Sequence, residues 1–244
     1  MSITIVGMGR IGRVFARAAE RAGREVVPIT RASGAAAPQG PVVVAVAEDD
    51  LERAAAALDP ALRARLCFVQ NGLVHEEVAR FGEVGRALLH FNADAGGNVR
   101  VLEASVFGGP TGADLAGLLD SAGIPSRHEP DARRFKVEEI RKLLWSTVLS
   151  LLAARRGVTV AGLDAAEVEA LTRECVAVAS AYLDVPYNHG EMLASVRRMQ
   201  AALPDYQGSA RGQRYRNALL VRIGRRLGIP TPLNDALVAG LGVG

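Results

Sequence analysis

The chain has 244 residues, 49% of them apolar and 23% charged, with a formal net charge of +3. That length supports one large or two modest domains with real cores, and the balance is that of an ordinary globular protein. Arginine outnumbers lysine without any cluster dense enough for a nucleic-acid surface, two distant cysteines suggest neither a disulfide framework nor a zinc site, and no apolar run approaches the roughly 20 residues that span a bilayer.

Strand-like Ile3 to Val6 opens the chain and runs into Gly7-Met8-Gly9-Arg10-Ile11-Gly12, followed by helix-like sequence from about Ile11 to Ala22. Three glycines at this spacing, between a strand and a helix, form a dinucleotide fingerprint. Gly7 allows the tight turn, Gly9 lets a pyrophosphate approach backbone N–H groups, and Gly12 lets helix and strand pack closely. Gly7, Met8, Gly9, Arg10, Ile11 and Gly12 are therefore the expected cofactor-binding loop. The motif begins so near Met1 that no signal peptide precedes it in this sequence, and the expected compartment is the reducing cytoplasm.

Strand 2 is expected over Glu25 to Thr30, with Pro28 forcing a bulge or a short strand. NAD-binding folds carry an Asp or Glu about 20 residues past the fingerprint. Here that stretch reads Ile29-Thr30-Arg31-Ala32-Ser33. With no carboxylate there, the Arg31 guanidinium and the Ser33 hydroxyl fit a 2′-phosphate, which favours NADP(H) over NAD; the alternative for Arg31 is an ordinary surface arginine. Arg10, inside the glycine loop, is a further candidate contact to phosphate.

A Gly/Ala/Pro loop from Ser33 to Pro41 leads to strand 3, Val42 to Val46, then an acidic turn and a helix from Leu51 to Leu58 halted by Asp59-Pro60. Strand 4, Leu66 to Val69, contains Cys67 as a small buried hydrophobe and ends in Gln70-Asn71-Gly72. Strand 5 is expected over Ala87 to Phe91, with further strands near Val99 to Val106. Apolar, non-alternating strands interleaved with helices predict a parallel sheet covered on both faces.

From about Asp131 long helical periods replace strands: Ala132 to Arg156, Asp164 to Leu183, His189 to Leu203, Ser209 to Leu227, and a short helix near Leu233. Asp164 and Glu167 have the spacing of a capping box, and Gly228 with Pro230 ends the fourth helix. The predicted fold class is α/β: an N-terminal Rossmann-type parallel sheet followed by an all-α C-terminal domain. The boundary falls near Pro125 to Pro130, giving a nucleotide domain over 1–128 and a helical substrate and dimerisation domain over 129–244.

In the first long helix Lys142, Ser146 and Ser150 stand at i, i+4 and i+8 amid Leu143, Leu144, Trp145, Val148 and Leu149. That spacing stacks them on one face. A wet cleft explains such a stripe, and so do serines bonding back to helix carbonyls beside a snorkelling lysine; the residues leave both open. His75, His90, His128 and His189 show no metal spacing, and His189 reads as part of a surface turn.

Together these features resemble the ketopantoate reductases (2-dehydropantoate 2-reductases) over nearly the whole chain. The resemblance is carried by the opening Ile-Thr-Ile-Val-Gly-Met-Gly-Arg-Ile-Gly, by Arg31, by Val69-Gln70-Asn71-Gly72 and by Glu139-Ile140-Arg141-Lys142-Leu143, with Ile140 where a Trp is usual. It extends through Tyr215-Arg216-Asn217-Ala218 to the Gly228-Ile229-Pro230-Thr231-Pro232-Leu233-Asn234 tail. It implies an NADPH-dependent reductase of a small 2-keto acid or related carbonyl, with Lys142 as general acid and Asn71 orienting nicotinamide or substrate. Where the family usually has asparagines after its lysine, Ser146 and Ser150 stand. Gly212 occupies the place of its glutamate, in Arg211-Gly212-Gln213-Arg214. Ala47 or Glu48 replaces a second lysine, and the loop between strands 2 and 3 is shortened.

Loss of groups that bond a substrate hydroxyl relaxes the preference for it, so a substrate other than ketopantoate is expected. Ser146, Ser150, Asn71 and Arg211 are the candidate substrate-binding residues. Arg211, Arg214 and Tyr215 either bind a carboxylate or phosphate or form an exposed basic face. Two alternatives stay open: a non-catalytic NADP(H)-binding protein of the same fold, and an imine or other C=N reductase. Apolar helix faces in the second half make a homodimer an expected partner state.

Overall fold

The computed structural model describes residues 1–29, 40–239 and 241. The chain divides into two compact units, one of Met1–Gln70 with Val74–Phe135, the other of Asn71–Leu73 with Lys136–Gly244.

The first unit begins with β1 (Ser2–Val6), α1 (Arg10–Arg21), β2 (Glu25–Ile29) and β3 (Val42–Val44). A 3₁₀ turn leads into α2 (Leu51–Ala57), and another, Pro60–Arg65, into β4 (Leu66–Phe68). The Asp59 side chain accepts from Ala61 N at the head of that second turn, so Asp59-Pro60 starts an element as well as stopping one. Then follow α3 (His75–Val78), β5 (Gly85–Leu88), β6 (Phe91–Ala93), β7 (Val99–Val101), β8 (Ser105–Gly108), α4 (Gly112–Ser121) and β9 (Ser126–His128).

Seven strands form one sheet in the order β2-β1-β3-β4-β5-β8-β9, and β6 pairs with β7 separately. Val42–Val44 and Leu66–Phe68 are wholly buried, as strands inside a covered sheet must be. Phe15, Ala18 and Ala19 of α1 and Leu115 and Leu119 of α4 close over Ile3, Ile5, Val43, Cys67 and Phe107. On α1, Arg13 Nη1 donates to the Ala95 carbonyl (2.7 Å), and just before β2 Arg24 pairs with Asp114 of α4 (2.5 Å).

The sheet departs from expectation in four places. Pro28 sits unbulged opposite Ile5, because β2 is at the edge of the sheet formed by the described residues, where a missing N–H breaks no ladder. The sheet is parallel except between β5 and β8. The connection between those two is the β6–β7 hairpin rather than a crossover helix, and a return without a crossover leaves strands antiparallel. Strand 5 spans Gly85–Leu88, earlier than expected, because the apolar run continues into the hairpin. Finally, α4 and β9 lie where no clear element is expected: Gly112 and Gly117 weaken the helix signal, and the four residues between Pro125 and Pro130, three of which form β9, are too few to read as a strand.

In the second unit every regular element among the described residues is helical. Helix α5 (Ala132–Leu144), whose first residues belong to the other unit, passes into a π-helical segment, Trp145–Ser150, then α6 (Leu151–Arg156), ended by left-handed Gly157. Helices α7 (Ala165–Leu183), α8 (His189–Ala202), α9 (Asn217–Leu227) and α10 (Pro232–Val238) follow. Asp164 accepts from Glu167 N (2.8 Å), one arm of the expected capping box; the Glu167 carboxylate takes Arg156 instead of closing the other. Asn188 caps α8 through Glu191 N (3.2 Å), which puts His189 in the first turn of a helix. The helix expected from Ser209 begins only at Asn217. Gly212 adopts φ +70°, a 3₁₀ turn covers Gln213–Tyr215, and Arg211, Arg214 and Tyr215 precede the helix instead of opening it.

The architecture is thus α/β, a mostly parallel Rossmann-type sheet followed by an all-helical half.

Candidate active site

In the first unit the chain leaves β1 at Val6 and turns sharply at Gly7, whose φ is +93° and whose N–H donates to Ile29 O (3.2 Å). Strand β1 has β2 on one side and β3 on the other, so connections leave in opposite directions beside this turn. Open α/β sheets place their ligand crevice at such a switch point. Helix α1 then starts with Gly9 as its N-cap in extended backbone and no side-chain cap. Its first-turn N–H groups and the positive end of its dipole are suited to an anion.

Each glycine has its own reason. A Cβ on Gly9 would meet nothing within 4 Å, so the backbone is open to approach. A Cβ on Gly12 would lie 2.1 Å from the Gly7 carbonyl oxygen, so only glycine permits that packing. Met8 and Ile11 are half-buried against the core and anchor the loop, while Arg10 is exposed at the head of α1. Arg31 and Ser33 lie outside the described residues. The loop fits a dinucleotide diphosphate, which Gly7 through Gly12 would hold by backbone groups.

Beside the loop, the side chain of Gln70, nearly buried at 5% exposure, donates through Nε2 to Val44 O (2.9 Å) and Val46 O (3.1 Å). Sequence reasoning missed this residue. Its only signal was its position at the end of β4, between Val69 and Asn71.

Asn71 itself belongs to the second unit and is exposed. The turn that holds it is pinned by Leu73 N to Tyr215 O (3.1 Å).

Lys142 lies half-buried in the last turn of α5, immediately before the π-helical segment. Wider turns of this kind recur at functional sites and disturb the 3.6-residue spacing that would stack Lys142, Ser146 and Ser150. The hydroxyls do not form an open stripe. Ser146 Oγ donates back to Leu143 O (3.0 Å), as Thr147 Oγ1 also does (3.0 Å). Ser150 Oγ accepts from Ser209 N (3.0 Å) and lies 3.4 Å from the Tyr206 hydroxyl. The Tyr206 ring lies against Trp145, centroids 5.3 Å apart. Arg211 is exposed, and its carbonyl accepts from Arg216 Nη1 (3.0 Å). Arg214 lies over the buried Tyr215 ring (5.4 Å).

Burial pushes both thiols, Cys67 and Cys175, up to about 12, which makes them inert rather than nucleophilic. Among the described residues no group of His, Cys, Asp and Glu is placed to hold a metal ion, and no helix is long and apolar enough to cross a membrane.

No protein-family model and no curated protein sequence matches this chain. Solved structures do. A PanE/ApbA family ketopantoate reductase from Ralstonia eutropha JMP134 superposes with TM-score 0.75 at 23% identity, covering 98% of this chain and 96% of that one. D-mandelate dehydrogenase, solved with NADH, superposes at 0.73 and 16% identity, over 97% and 96%. A dimeric ketopantoate reductase from Staphylococcus aureus superposes at 0.70 and 16% identity, over 99% and 97%. The fold of this chain is therefore that of the ketopantoate reductases, with 98–99% of the chain covered.

Proposed function

We propose that the protein is an NADPH-dependent reductase of a small 2-keto acid, with the first domain, 1–128, holding the dinucleotide and the second, 129–244, holding the substrate. The observation that carries this reading is the glycine turn at the sheet's switch point, in a fold shared over 97–99% of the chain with two ketopantoate reductases and with a dehydrogenase solved with NADH.

Backbone N–H groups at the start of α1 receive the diphosphate, and Gly9 keeps that approach open. Arg31, with Arg10 at the head of α1, favours the 2′-phosphate of NADP(H). A reduced nicotinamide bound there would supply the hydride that the keto carbon accepts. Lys142 gives its ammonium proton to the carbonyl oxygen as that hydride arrives, so the C=O bond becomes CH–OH and the amine is reprotonated from water. Until the proton moves, the ammonium charge stabilises the developing alkoxide. Asn71 and Arg211, both exposed, are the substrate-facing candidates. Ser146 and Ser150, with their hydroxyls engaged within the helical unit, shape the site instead of contacting substrate. A homodimer is the proposed assembly, as in the Staphylococcus aureus neighbour.

One observation favours a second reading, a non-catalytic NADP(H)-binding protein: those same internally bonded hydroxyls stand where the resemblance expects substrate-binding amides. Purified protein mixed with NADPH and a panel of 2-keto acids separates the two. Loss of nicotinamide absorbance that falls about 10²- to 10⁴-fold in Lys142→Ala supports the reductase, the usual range for a positioned acid. NADPH binding without turnover of any 2-keto acid supports the second reading.

A further inference from the structure

Beyond Phe68 and Val44 the β3–β4 ladder runs out, and the carbonyls at the exit of β3 need donors from elsewhere. Val69 N reaches Val44 O only at 3.4 Å. The Gln70 amide supplies the rest, spending both protons of Nε2 on Val44 O and Val46 O. Between those carbonyls stands Ala45. Its N–H donates to Val6 O (2.8 Å), and its carbonyl carbon and oxygen lie 3.0 Å from where a Cβ on Gly7 would sit. A side-chain amide on β4 thus fixes the backbone wall against which the glycine turn is seated.

We propose that Gln70 is a positioning residue for the dinucleotide. Its amide donors are spent on carbonyls, so it acts through the backbone. It sets the Ala45-Val46 wall, the wall sets the Gly7 turn, and the turn sets where the diphosphate meets the start of α1. This rests on the dinucleotide reading above.

Gln70→Glu tests it, because a carboxyl can donate to a carbonyl only while protonated. Buried beside two carbonyl oxygens, the introduced acid has its pKa raised by desolvation and by hydrogen bonding of its neutral form. Binding of NADP⁺ is titrated calorimetrically from pH 5 to 8 in wild type, Gln70→Glu and Gln70→Leu, with melting curves at each pH. Relative to wild type at the same pH, Gln70→Glu is expected to bind about tenfold more weakly at pH 8 and to recover toward wild type as pH falls; Gln70→Leu stays weak throughout. Gln70→Glu that never recovers, or variants that bind as tightly as wild type, overturn the inference and leave the dinucleotide reading intact. A wild type that binds no NADP⁺ overturns that reading and this inference with it. Should Gln70→Leu fail to fold, Gln70→Glu compared with wild type at each pH still decides.

Discussion

The N–H of Leu73 donates to the carbonyl of Tyr215 over 3.1 Å, and the Gly72 between Asn71 and Leu73 lies so close that a Cβ there would sit 2.2 Å from that same carbonyl oxygen. A segment adjoining the end of β4 in sequence is thereby built into the helical unit, far along the chain, by one backbone bond.

Gly72→Ala is expected to be costly. Its φ of +92° is disfavoured for any L side chain, and the added methyl collides with backbone that cannot rotate away. A loss of about 2–4 kcal/mol, read by urea unfolding, follows from strain and overpacking together. A loss under about 0.5 kcal/mol, the range of an indifferent surface substitution, would mean that the turn does not need glycine.

The glycine loop offers a sharper contrast. In Gly12→Ala the methyl lands 2.1 Å from Gly7 O, so α1 must move off β1, lowering stability by about 1–3 kcal/mol and dinucleotide affinity together. In Gly9→Ala the methyl meets no atom within 4 Å and φ is an ordinary −72°. The melting temperature should hold while NADP(H) affinity falls about tenfold or more, because the new side chain stands where the diphosphate approaches. Equal affinity of Gly9→Ala and wild type would place the ligand elsewhere.

Much of this was legible because the signals are local. Glycine spacing after an apolar strand specifies a turn that only glycine can make, and helical periodicity survives in single sequences. What could not be read depends on partners distant in sequence. The antiparallel pairing of β8 follows from the route of the connection, not from Ser105–Gly108 itself. In the π-helical segment carbonyls find outside donors: Thr147 O takes Asn217 Nδ2 and Ser150 O takes Ser209 N. Reading Lys142, Ser146 and Ser150 as one open stripe assumed an ideal helix. Gln70 was invisible because its role lies in two carbonyls of another strand.

Both cysteines should behave as core atoms. At 0% exposure, with thiol pKa values raised from 9.0 to about 12 chiefly by burial, neither should react with a thiol reagent at pH 8 until the protein unfolds. The linkage has a definite sign. The folded values lie above the unfolded ones, so this contribution is fully present below pH 9 and is lost as pH rises from about 9 toward 12. The urea midpoint should therefore fall between pH 8.5 and 10.5, and Cys67→Ala and Cys175→Ala should each reduce that fall. Fast labelling of native protein would contradict the assigned burial.

The tail of the chain makes the most cooperative prediction. Asn217, fully buried, donates through Nδ2 to Thr147 O (2.9 Å) and to Asn234 Oδ1 (2.7 Å). Asn234, also fully buried, donates through N and Nδ2 to one oxygen of Glu174, both at 3.0 Å, while Leu233 N takes the other oxygen at 2.9 Å. The π-helical segment, α9, α10 and α7 are joined through these three side chains. Asn217→Ala leaves a buried carbonyl and a buried amide oxygen without that donor, and Asn234→Ala removes the acceptor of one Asn217 Nδ2 proton and one of the two donors to a Glu174 oxygen. Each should cost about 2–4 kcal/mol. The second removal finds its partner already gone, so the double variant should lose about 1–2 kcal/mol less than the sum, measured as a urea double-mutant cycle. Strict additivity would show that the two asparagines act independently, and the close contact between them would then carry no energy of its own.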